Sequence, residues 1–291
     1  MTRDLALTFA GGGNRAFYQQ GLLERWSDWL LPRTAGIASC SAGAFVIVSW
    51  LAQRHRESWD FWVKRRAGVT KNIELRNMLR GVPMAPHGAV FRETSMHVLA
   101  DGGFDRVKAQ PFPIWILAAA FPWYLPAAVA VAAGLTGYQI EKKLFPARIH
   151  PTLGRTLGFR PVVIDARTCN TPEELADIIL ASSATPPITP IGTFRGQRLL
   201  DGGLIDNVPA FIGDGIPGAT RNLVFLTRRY PGDPGEIGSR LYLAPSRPVP
   251  THRWDYTRPE LIRETIELGA SDADWHRPAV ERFLAYHSHL T

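Results

Sequence analysis

Two short apolar segments near the start of the chain each lead, through a few small residues, into a helical segment. Residues 5–10 are an apolar run that ends at three consecutive glycines, after which apolar residues recur at helical spacing as far as Pro32. Residues 36–40 form a second short run, and the strongly apolar segment 42–55 follows it with helical periodicity. Strands that alternate with helices pair in parallel, because each helix returns the chain to the same end of the sheet. The pattern predicts an α/β fold, a three-layer sandwich with a mainly parallel central sheet.

Later segments continue this alternation. Further strands are predicted at 111–120, 161–166 and 223–227, where the chain is apolar or rich in β-branched residues. Two helix starts are indicated by a threonine followed three residues later by a glutamate, at 171–174 and 257–260. The first of them also has proline at the first helical position, which favours a helix.

The composition excludes several classes of protein. Cys40 and Cys169 are the only cysteines and form no CxxC pair, which excludes a zinc-finger spacing and a disulfide framework. Lys and Arg number 33 against 26 for Asp and Glu, a net charge of +7, which fits either a plain basic surface or an anionic partner. We expect an anionic membrane surface and no nucleic acid, since nucleic-acid binding would explain the charge but none of the motifs below. Asp4 and a short first apolar run do not fit a signal peptide, so we expect a cytoplasmic protein.

One segment does not fit the alternation of strands and helices. Residues 111–138 are 28 residues without a charge, which is long enough for a membrane span. Three internal prolines argue against a regular spanning helix, and basic residues on both flanks give no orientation. Three alternatives stay open: a buried strand with a covering helix, a hairpin that dips into a membrane interface, and a true span. We expect one domain over residues 1–291, with this apolar insertion at about 111–150 and a helical C-terminal end at about 255–291.

A glycine-rich loop follows the first predicted strand. Backbone N–H groups at the start of the helix after it favour negative charge. The spacing fits a dinucleotide-binding loop, but that motif expects an acid at the end of the second strand, where this chain has Ser-Cys-Ser at 39–41. An oxyanion hole uses the same physics for a transient negative oxygen. We therefore favour an oxyanion hole at residues 11–13 over a dinucleotide site, and a plain tight strand-to-helix turn stays an alternative.

A nucleophile elbow is indicated where the second strand meets its helix. In such an elbow a serine lies on a sharp turn, and small neighbours let the strand and the helix approach each other. Ser41 has this position, with Ser39 in place of the usual first glycine and Gly43 at the last. Cys40 is the alternative nucleophile, but it lies off the apex of the turn and is expected to face the core. The sequence therefore favours Ser41.

Asp201 is the candidate base for Ser41. None of the eight histidines lies in a glycine-bounded turn after a strand, although one from the C-terminal half stays an alternative. Asp201 ends an apolar run and is followed by two glycines, and a buried carboxylate can accept a hydroxyl proton directly. Asp101 heads the same Asp-Gly-Gly tripeptide without a preceding strand, so it is expected in a surface turn. Asp206 is expected to be structural, holding the Asp201 loop.

In their order along the chain, these motifs resemble those of patatin-like phospholipases. The similarity extends over roughly residues 4–55 and 160–230. It is carried by a glycine-rich oxyanion motif, a nucleophile elbow, an Ala-Ser-x-Ala-x-Pro segment, an Asp-Gly-Gly motif and the run after it, at residues 11–16, 39–43, 181–186, 201–203 and 204–209.

The resemblance implies a serine hydrolase of lipid acyl esters that works through a Ser–Asp dyad. Ser41 would be the nucleophile, Asp201 its base, and the three glycine amides the oxyanion donors, with no metal and no cofactor. Arg15 matches the arginine of the glycine-rich motif, where it would support the loop or meet a phosphate. The implied substrates are phospholipids or related lipid esters, cleaved through a covalent acyl-enzyme.

Two alternatives to this function stay open. An acyltransferase could use the same dyad with an acceptor other than water. A catalytically weak membrane-binding protein could retain the fold, because Ser39 and Ala16 stand where the family has glycines.

Overall fold

The structure, a computed structural model, describes residues 2–80 and 84–285. Within these residues one sheet contains nine strands: β1 (Leu5–Phe9), β2 (Thr34–Cys40), β3 (Ile114–Ala120), β4 (Arg160–Asp165), β5 (Gly192–Phe194), β6 (Gln197–Asp201), β7 (Arg221–Phe225), β8 (Glu236–Ile237) and β9 (Arg240–Leu243). The α-helices are α1 (Phe17–Leu30), α2 (Ala42–Leu51), α3 (His55–Arg66), α4 (His87–Leu99), α5 (Gly103–Lys108), α6 (Ala127–Leu144), α7 (Leu153–Thr156), α8 (Pro172–Ala181), α9 (Gly203–Asp206), α10 (Ala210–Asp214) and α11 (Leu261–Ala285).

The sheet is mixed, with a parallel centre. Its strands lie in the order β5-β6-β3-β2-β1-β7-β9-β8, and β4 pairs with β3 outside this path. The pairs β3–β2, β2–β1, β1–β7 and β7–β9 are parallel, and the pairs that involve β4, β5, β6 and β8 are antiparallel. The predicted mainly parallel α/β sheet is confirmed.

Helices cover both faces of the sheet, because successive residues of a strand point to opposite faces. On one face, Leu7, Ile37 and Ile116 belong to a large apolar core to which α1, α2, α4, α8 and α11 contribute. On the other face, Leu117 and Leu200 pack with residues of α6, α9 and α10. The three-layer sandwich is confirmed.

Strand β3 brings the ends of two other strands together. β2 runs parallel to the first half of β3, and its last residue Cys40 pairs with Leu117. β6 runs antiparallel to the second half, and its last residue Asp201 pairs with Ala118. Because β4 occupies the opposite edge of β3, β2 and β6 share one edge and meet end to end. The residue after β2, Ser41, therefore lies beside Asp201.

The charge-free segment 111–138 folds as a strand and a covering helix. β3 is almost entirely buried, and α6 packs over the sheet through small buried residues such as Ala130 and Gly134. This is the first of the three alternatives, and Pro122 and Pro126 lie between β3 and α6. In the part of the chain that the structure describes, no helix combines the length and the apolarity needed to cross a membrane.

The strands begin or end up to three residues from their predicted limits, and two predicted helix boundaries are wrong. The helix predicted over 42–55 ends at Leu51, because Gln53 adopts a left-handed φ of 57° before α3 begins. The start predicted at 257–260 is also wrong: Thr257 donates its amide and hydroxyl to Asp255, and α11 begins at Leu261. The remainder of the predicted C-terminal helical end, 286–291, lies outside the described residues. The start at Thr171 is confirmed, since its hydroxyl accepts the Glu174 amide.

Candidate active site

Ser41 lies on a strained turn between β2 and α2. Its φ of 53° and ψ of −132° lie in a region that few residues other than glycine adopt. The turn is tight because α2 starts directly against β1: a Cβ on Gly43 would lie 2.6 Å from the carbonyl oxygen of Ala10. This is the strand–turn–helix geometry of a nucleophile elbow, with the serine side chain at the apex.

The hydroxyl of Ser41 donates to the carboxylate of Asp201. The distance from Ser41 Oγ to Asp201 Oδ2 is 3.0 Å, although the residues are 160 positions apart in sequence. The second oxygen, Oδ1, accepts the amide of Gly203 at 2.7 Å, which fixes the orientation of the carboxylate. Ser41 is only 6% exposed and borders a cleft. The pair is placed for direct proton transfer from hydroxyl to carboxylate.

The environment of Asp201 raises its pKa. Withdrawal of the carboxyl group from water raises its pKa to about 6, although the hydrogen bonds from Gly203 and Ser41 and the charge of Arg253 act in the opposite direction. At neutral pH the carboxylate is ionised, yet it is a stronger base than an exposed aspartate. Both properties suit a general base.

The three glycines of the first loop do not share one role. The Gly11 amide donates to the carbonyl of Asn207 at 2.8 Å, so the prediction that Gly11 is an oxyanion donor was wrong. Gly12 and Gly13 line the cleft with Ser41, and within residues 2–80 and 84–285 their amides have no protein acceptor. Gly13 has a φ of +56°, and a Cβ there would meet the Arg253 carbonyl oxygen at 2.2 Å. Two of the three glycine amides, in residues that border the cleft, are therefore without a protein acceptor among the described residues.

Arg15 supports this loop and also faces the cleft. Its Nε donates to the carbonyl of Gly12 at 3.4 Å, a long hydrogen bond across the turn. Burial, and next the charges of Arg253 and Arg228, lower the pKa of Arg15 to about 10. Arg15 remains cationic at neutral pH, and it borders the same cleft as Ser41 and Asp201.

Further residues that the sequence did not single out hold the pair in place. Ser182 accepts the Ser41 amide at 2.7 Å and donates its hydroxyl to the Leu117 carbonyl at 2.6 Å, which ties the elbow to β3. Thr185 approaches Asp201 Oδ2 with its hydroxyl at 3.4 Å. Both lie in the segment 181–186, so its sequence signal was present, but the roles of the individual side chains were not readable from it.

Two cavities meet at Ser41. One is bordered by Asp201 and the glycine loop and by three arginines, Arg15, Arg228 and Arg253. The other has apolar walls that include Phe17, Phe45, Val46, Trp62 and Phe91. Gly13, Ser41, Arg253 and Trp254 border both cavities.

Comparison with protein families finds a match over most of the chain. The model described as Patatin-like phospholipase matches residues 7–213, well over half of the chain. The chain belongs to the patatin-like phospholipase family. Members of this family are lipid acyl hydrolases, and the match contains both Ser41 and Asp201. A search of curated proteins finds no match.

Both departures from the glycines of the patatin-like motifs are accommodated. Ser39 is fully buried, and its hydroxyl donates to the Trp115 carbonyl at 3.0 Å across the β2–β3 pair. Ala16 is fully buried in the core and has an ordinary helical φ of −65°, which requires no glycine. Neither side chain displaces the Ser41 turn or the glycine loop.

Two rival candidates lie where the sequence predicts. Cys40 is completely buried in the core on the α6 side, and burial beside Asp201 raises the pKa of its thiol, which disfavours a thiolate nucleophile. Asp101 lies in an exposed turn and pairs with Arg54. Neither residue borders the cleft that Ser41 and Asp201 line in this patatin-like domain.

Asp206 and His150 form a separate polar cluster behind the patatin-like site. Asp206 accepts the Val208 amide at 2.9 Å and contacts His150 Nδ1 at 2.7 Å, which holds the chain after Asp201. In the described part of the chain, no histidine hydrogen bonds to Ser41 or Asp201. Nor do these residues contain a group of three or more His, Cys, Asp or Glu side chains arranged to hold a metal ion.

Proposed function

We propose that this protein is a serine lipid-acyl hydrolase that cleaves carboxylic esters of phospholipids or related lipids through Ser41 and Asp201. The observation that carries the proposal is the 3.0 Å hydrogen bond from Ser41 Oγ to Asp201 Oδ2 at the apex of a strained turn. Membership of the patatin-like family supports the lipid ester as substrate. The raised pKa of Asp201 supports its role as base.

The proposed reaction has two steps. Ser41 Oγ attacks the ester carbonyl while its proton passes to Asp201 Oδ2, and the amides of Gly12 and Gly13 hold the negative oxygen that develops. Asp201 then gives the proton to the departing alcohol, which leaves an acyl-enzyme on Ser41. Water attacks this ester with Asp201 as base, the fatty acid departs, and the proton returns to Ser41.

The two cavities suggest how the substrate is oriented. The apolar cavity fits the acyl chain, because its walls are aromatic and aliphatic side chains such as Phe45 and Phe91. The alcohol side of the ester would then occupy the other cavity, which the glycine loop and Asp201 border. The leaving oxygen lies there beside the carboxylate that must protonate it.

Ester hydrolysis by three variants tests the proposal. We expect Ser41→Ala and Asp201→Asn each to lower kcat by about 10³-fold or more, as for other serine hydrolases. Asp101→Asn is the matched control, because Asp101 heads the same tripeptide in an exposed turn and should leave kcat unchanged. Equal turnover by all four proteins, at equal stability, would end the proposal.

We further propose that α6 and the loop before it contact an anionic membrane surface. Of the eleven large apolar side chains that are exposed among the described residues, six lie between Trp123 and Phe145. Trp123 is 84% exposed and Leu144 is 66% exposed, with the exposed Lys143 beside the latter. Apolar side chains with adjacent cations fit an anionic lipid interface. α6 also borders the cavity at Ser41 through Leu135 and Tyr138.

Vesicle flotation tests this contact. The double variant Trp123→Ser with Leu144→Ser should bind phosphatidylserine vesicles at least tenfold more weakly than the wild type, since two large apolar groups no longer enter the interface. Trp275→Ser on α11 is the control, because Trp275 is a 60% exposed tryptophan of another helix. Equal flotation of the double variant and the wild type would contradict the proposal. Point variants are preferable to deletion of 121–138, because α6 borders the cavity at Ser41.

A further inference from the structure

The carbonyl oxygen of Gly11 accepts two hydrogen bonds from residues that are distant in the chain. Asn207 Nδ2 donates to it at 2.9 Å, and the buried hydroxyl of Thr227 donates to it at 2.7 Å. A carbonyl oxygen has two lone pairs, so these two donors occupy both. The Gly11 amide in turn donates to the Asn207 carbonyl at 2.8 Å. Both backbone polar groups of Gly11 are therefore engaged.

The Gly11 carbonyl and the Gly12 amide belong to the same peptide unit. In a planar trans peptide the C=O and N–H bonds point in opposite directions. The two donors that hold the carbonyl therefore also fix the direction of the Gly12 N–H. Gly12 borders the cleft with Ser41, and its amide has no acceptor among the residues that the structure describes. Hydrogen bonds to the carbonyl also polarise the peptide unit, which makes its N–H a stronger donor.

The same two side chains explain why the loop consists of glycines at these positions. A Cβ on Gly11 would lie 2.6 Å from Asn207 Oδ1, and a Cβ on Gly12 would lie 2.3 Å from Thr227 Oγ1. Any larger residue would therefore displace one of the donors. Glycine adopts a wider range of backbone conformations than other residues, so the peptide unit between two glycines depends on external hydrogen bonds for its orientation.

Asn207 also connects the glycine loop to the proposed base. Asp201 lies just before the single turn of α9, and Asn207 follows α9 directly. Asp201 Oδ1 accepts the Gly203 amide at the start of this turn, and Asp206 at its end accepts the Val208 amide at 2.9 Å. One short segment with its own hydrogen bonds thus carries the base and one of the two donors to the Gly11 carbonyl.

We infer that Asn207 and Thr227 are positioning residues: they direct the Gly12 amide toward the ester oxygen that becomes negative during nucleophilic attack. The inference rests on the proposed hydrolase function and adds two residues that act on the reaction through the Gly11 peptide. Their effect is on kcat, because the hydrogen bond from the amide strengthens as charge develops on that oxygen.

Two variants of Thr227 that differ only in the hydroxyl group test the inference. Thr227→Ala and Thr227→Ser both lose the methyl group, but only serine can still donate to the Gly11 carbonyl. With a monoacylglycerol as substrate, we expect Thr227→Ala to lower kcat about tenfold and Thr227→Ser to stay within about threefold of the wild type. KM should change less than about threefold in both, because Thr227 borders neither cavity at Ser41.

Asn207→Ala removes the other donor and should also lower kcat about tenfold, while the double variant with Thr227→Ala should lower it about 10²-fold or more, near the loss for one oxyanion donor. Asn207 is only partly buried, so Asn207→Ala is expected to fold even if Thr227→Ala does not. Thr8→Ala is the matched control. Thr8 is a buried threonine of β1 that donates to Asn222 Oδ1 at 2.8 Å and does not border the cleft, so kcat should keep its wild-type value.

Inhibition by a trifluoromethyl ketone analogue of the substrate gives a second readout. Its tetrahedral adduct with the serine places a negative oxygen where the oxyanion develops, so its Ki should rise in Thr227→Ala by the factor by which kcat/KM falls. An ether analogue that cannot form the adduct should bind Thr227→Ala and the wild type equally. Thermal unfolding of each variant separates a displaced loop from a damaged fold.

The outcomes distinguish this inference from the hydrolase proposal. Wild-type kcat in both Thr227→Ala and Asn207→Ala would overturn the inference, and so would an equal loss of kcat in Thr227→Ala and Thr227→Ser. In either case a wild type that is active and a Ser41→Ala variant that is inactive would leave the hydrolase proposal standing. Equal turnover by the wild type and Ser41→Ala would contradict the hydrolase proposal itself.

Discussion

The two cavities at Ser41 are built from different parts of the molecule. The walls of the apolar cavity include side chains of α1, α2, α3 and α4 that also form the main core, such as Trp62 and Phe91. The walls of the cationic cavity include arginines on loops after β1, β7 and β9. Substitution on the apolar side should therefore alter stability first, and substitution on the cationic side should alter activity first. The comparison separates residues that belong to the core from residues that only border the cleft at Ser41.

The largest expected effect is a loss of stability on the apolar side, and its absence would contradict this comparison. Trp62 is 4% exposed and contacts the rings of Phe17, Phe45, Phe91 and Tyr256, at centroid distances of 6.0, 6.1, 5.9 and 5.1 Å. We expect Trp62→Ala to lower the free energy of unfolding by about 3–5 kcal/mol, from lost burial and the cavity left behind. Arg228→Ala should change it by less than about 1 kcal/mol. Urea unfolding at pH 7 measures both, and equal losses would contradict the comparison.

Asp201 borders the cationic cavity, and its replacement should lower activity while it raises stability at high pH. Folding raises its pKa from 3.8 to about 6, so the fold favours the protonated form. Stability therefore falls as the pH rises from about 4 to about 6 and stays at the lower level above that. Asp201→Asn cannot ionise, so we expect it to be more stable than the wild type at pH 8, by on the order of 2 kcal/mol, and similar to it at pH 4.

Urea unfolding at the two pH values measures this difference. Trp62→Ala should lose similar stability at both values, since no ionisable group is removed. An Asp201→Asn variant that is less stable than the wild type at pH 8 would contradict the account of the carboxylate.

The smallest effect concerns the pH profile of activity. Asp201 must be ionised to accept a proton, so kcat/KM should fall about tenfold per pH unit below a pKa near 6. The positive charge of Arg253 lowers the pKa of Asp201, so Arg253→Gln should move this fall in kcat/KM to higher pH, by less than about one unit. Phe45→Leu, on the apolar side, should leave the pH of the fall unchanged. The measurement is the pH dependence of kcat/KM for a monoacylglycerol. Identical pH profiles for Arg253→Gln and the wild type would show that Arg253 does not affect the pKa of Asp201.

Local patterns were sufficient to predict the strand–loop–helix units and the residues at their turns. Ser41 and Asp201 each follow or end a short apolar strand beside glycines, and such signals depend only on nearby residues. The same locality explains the failure at Gly11, whose amide is occupied by the distant Asn207 carbonyl. Helix α2 ends at Leu51, before the predicted residue 55, because Gln53 adopts a left-handed φ at a position where the sequence has no glycine.

Contacts between distant loops were beyond the reach of the sequence. The Arg253 backbone is held beside the glycine loop because its carbonyl accepts the Asn14 amide, and no motif surrounds Arg253 in the chain. Arg228 follows a strand whose place next to β1 is set by sheet order. The arginine of the glycine-rich motif, Arg15, was predictable, and its two partners were not.

The most direct test of the central claim is the reaction of the protein with a fluorophosphonate probe, followed by peptide mapping of the adduct. The account predicts one adduct on Ser41, with a labelling rate that falls below pH 6 as Asp201 becomes protonated. Asp201→Asn should label at least 10²-fold more slowly at pH 8, while Asp101→Asn labels at the wild-type rate. An adduct on Cys40 or another residue, or equal labelling of Asp201→Asn and the wild type, would contradict it.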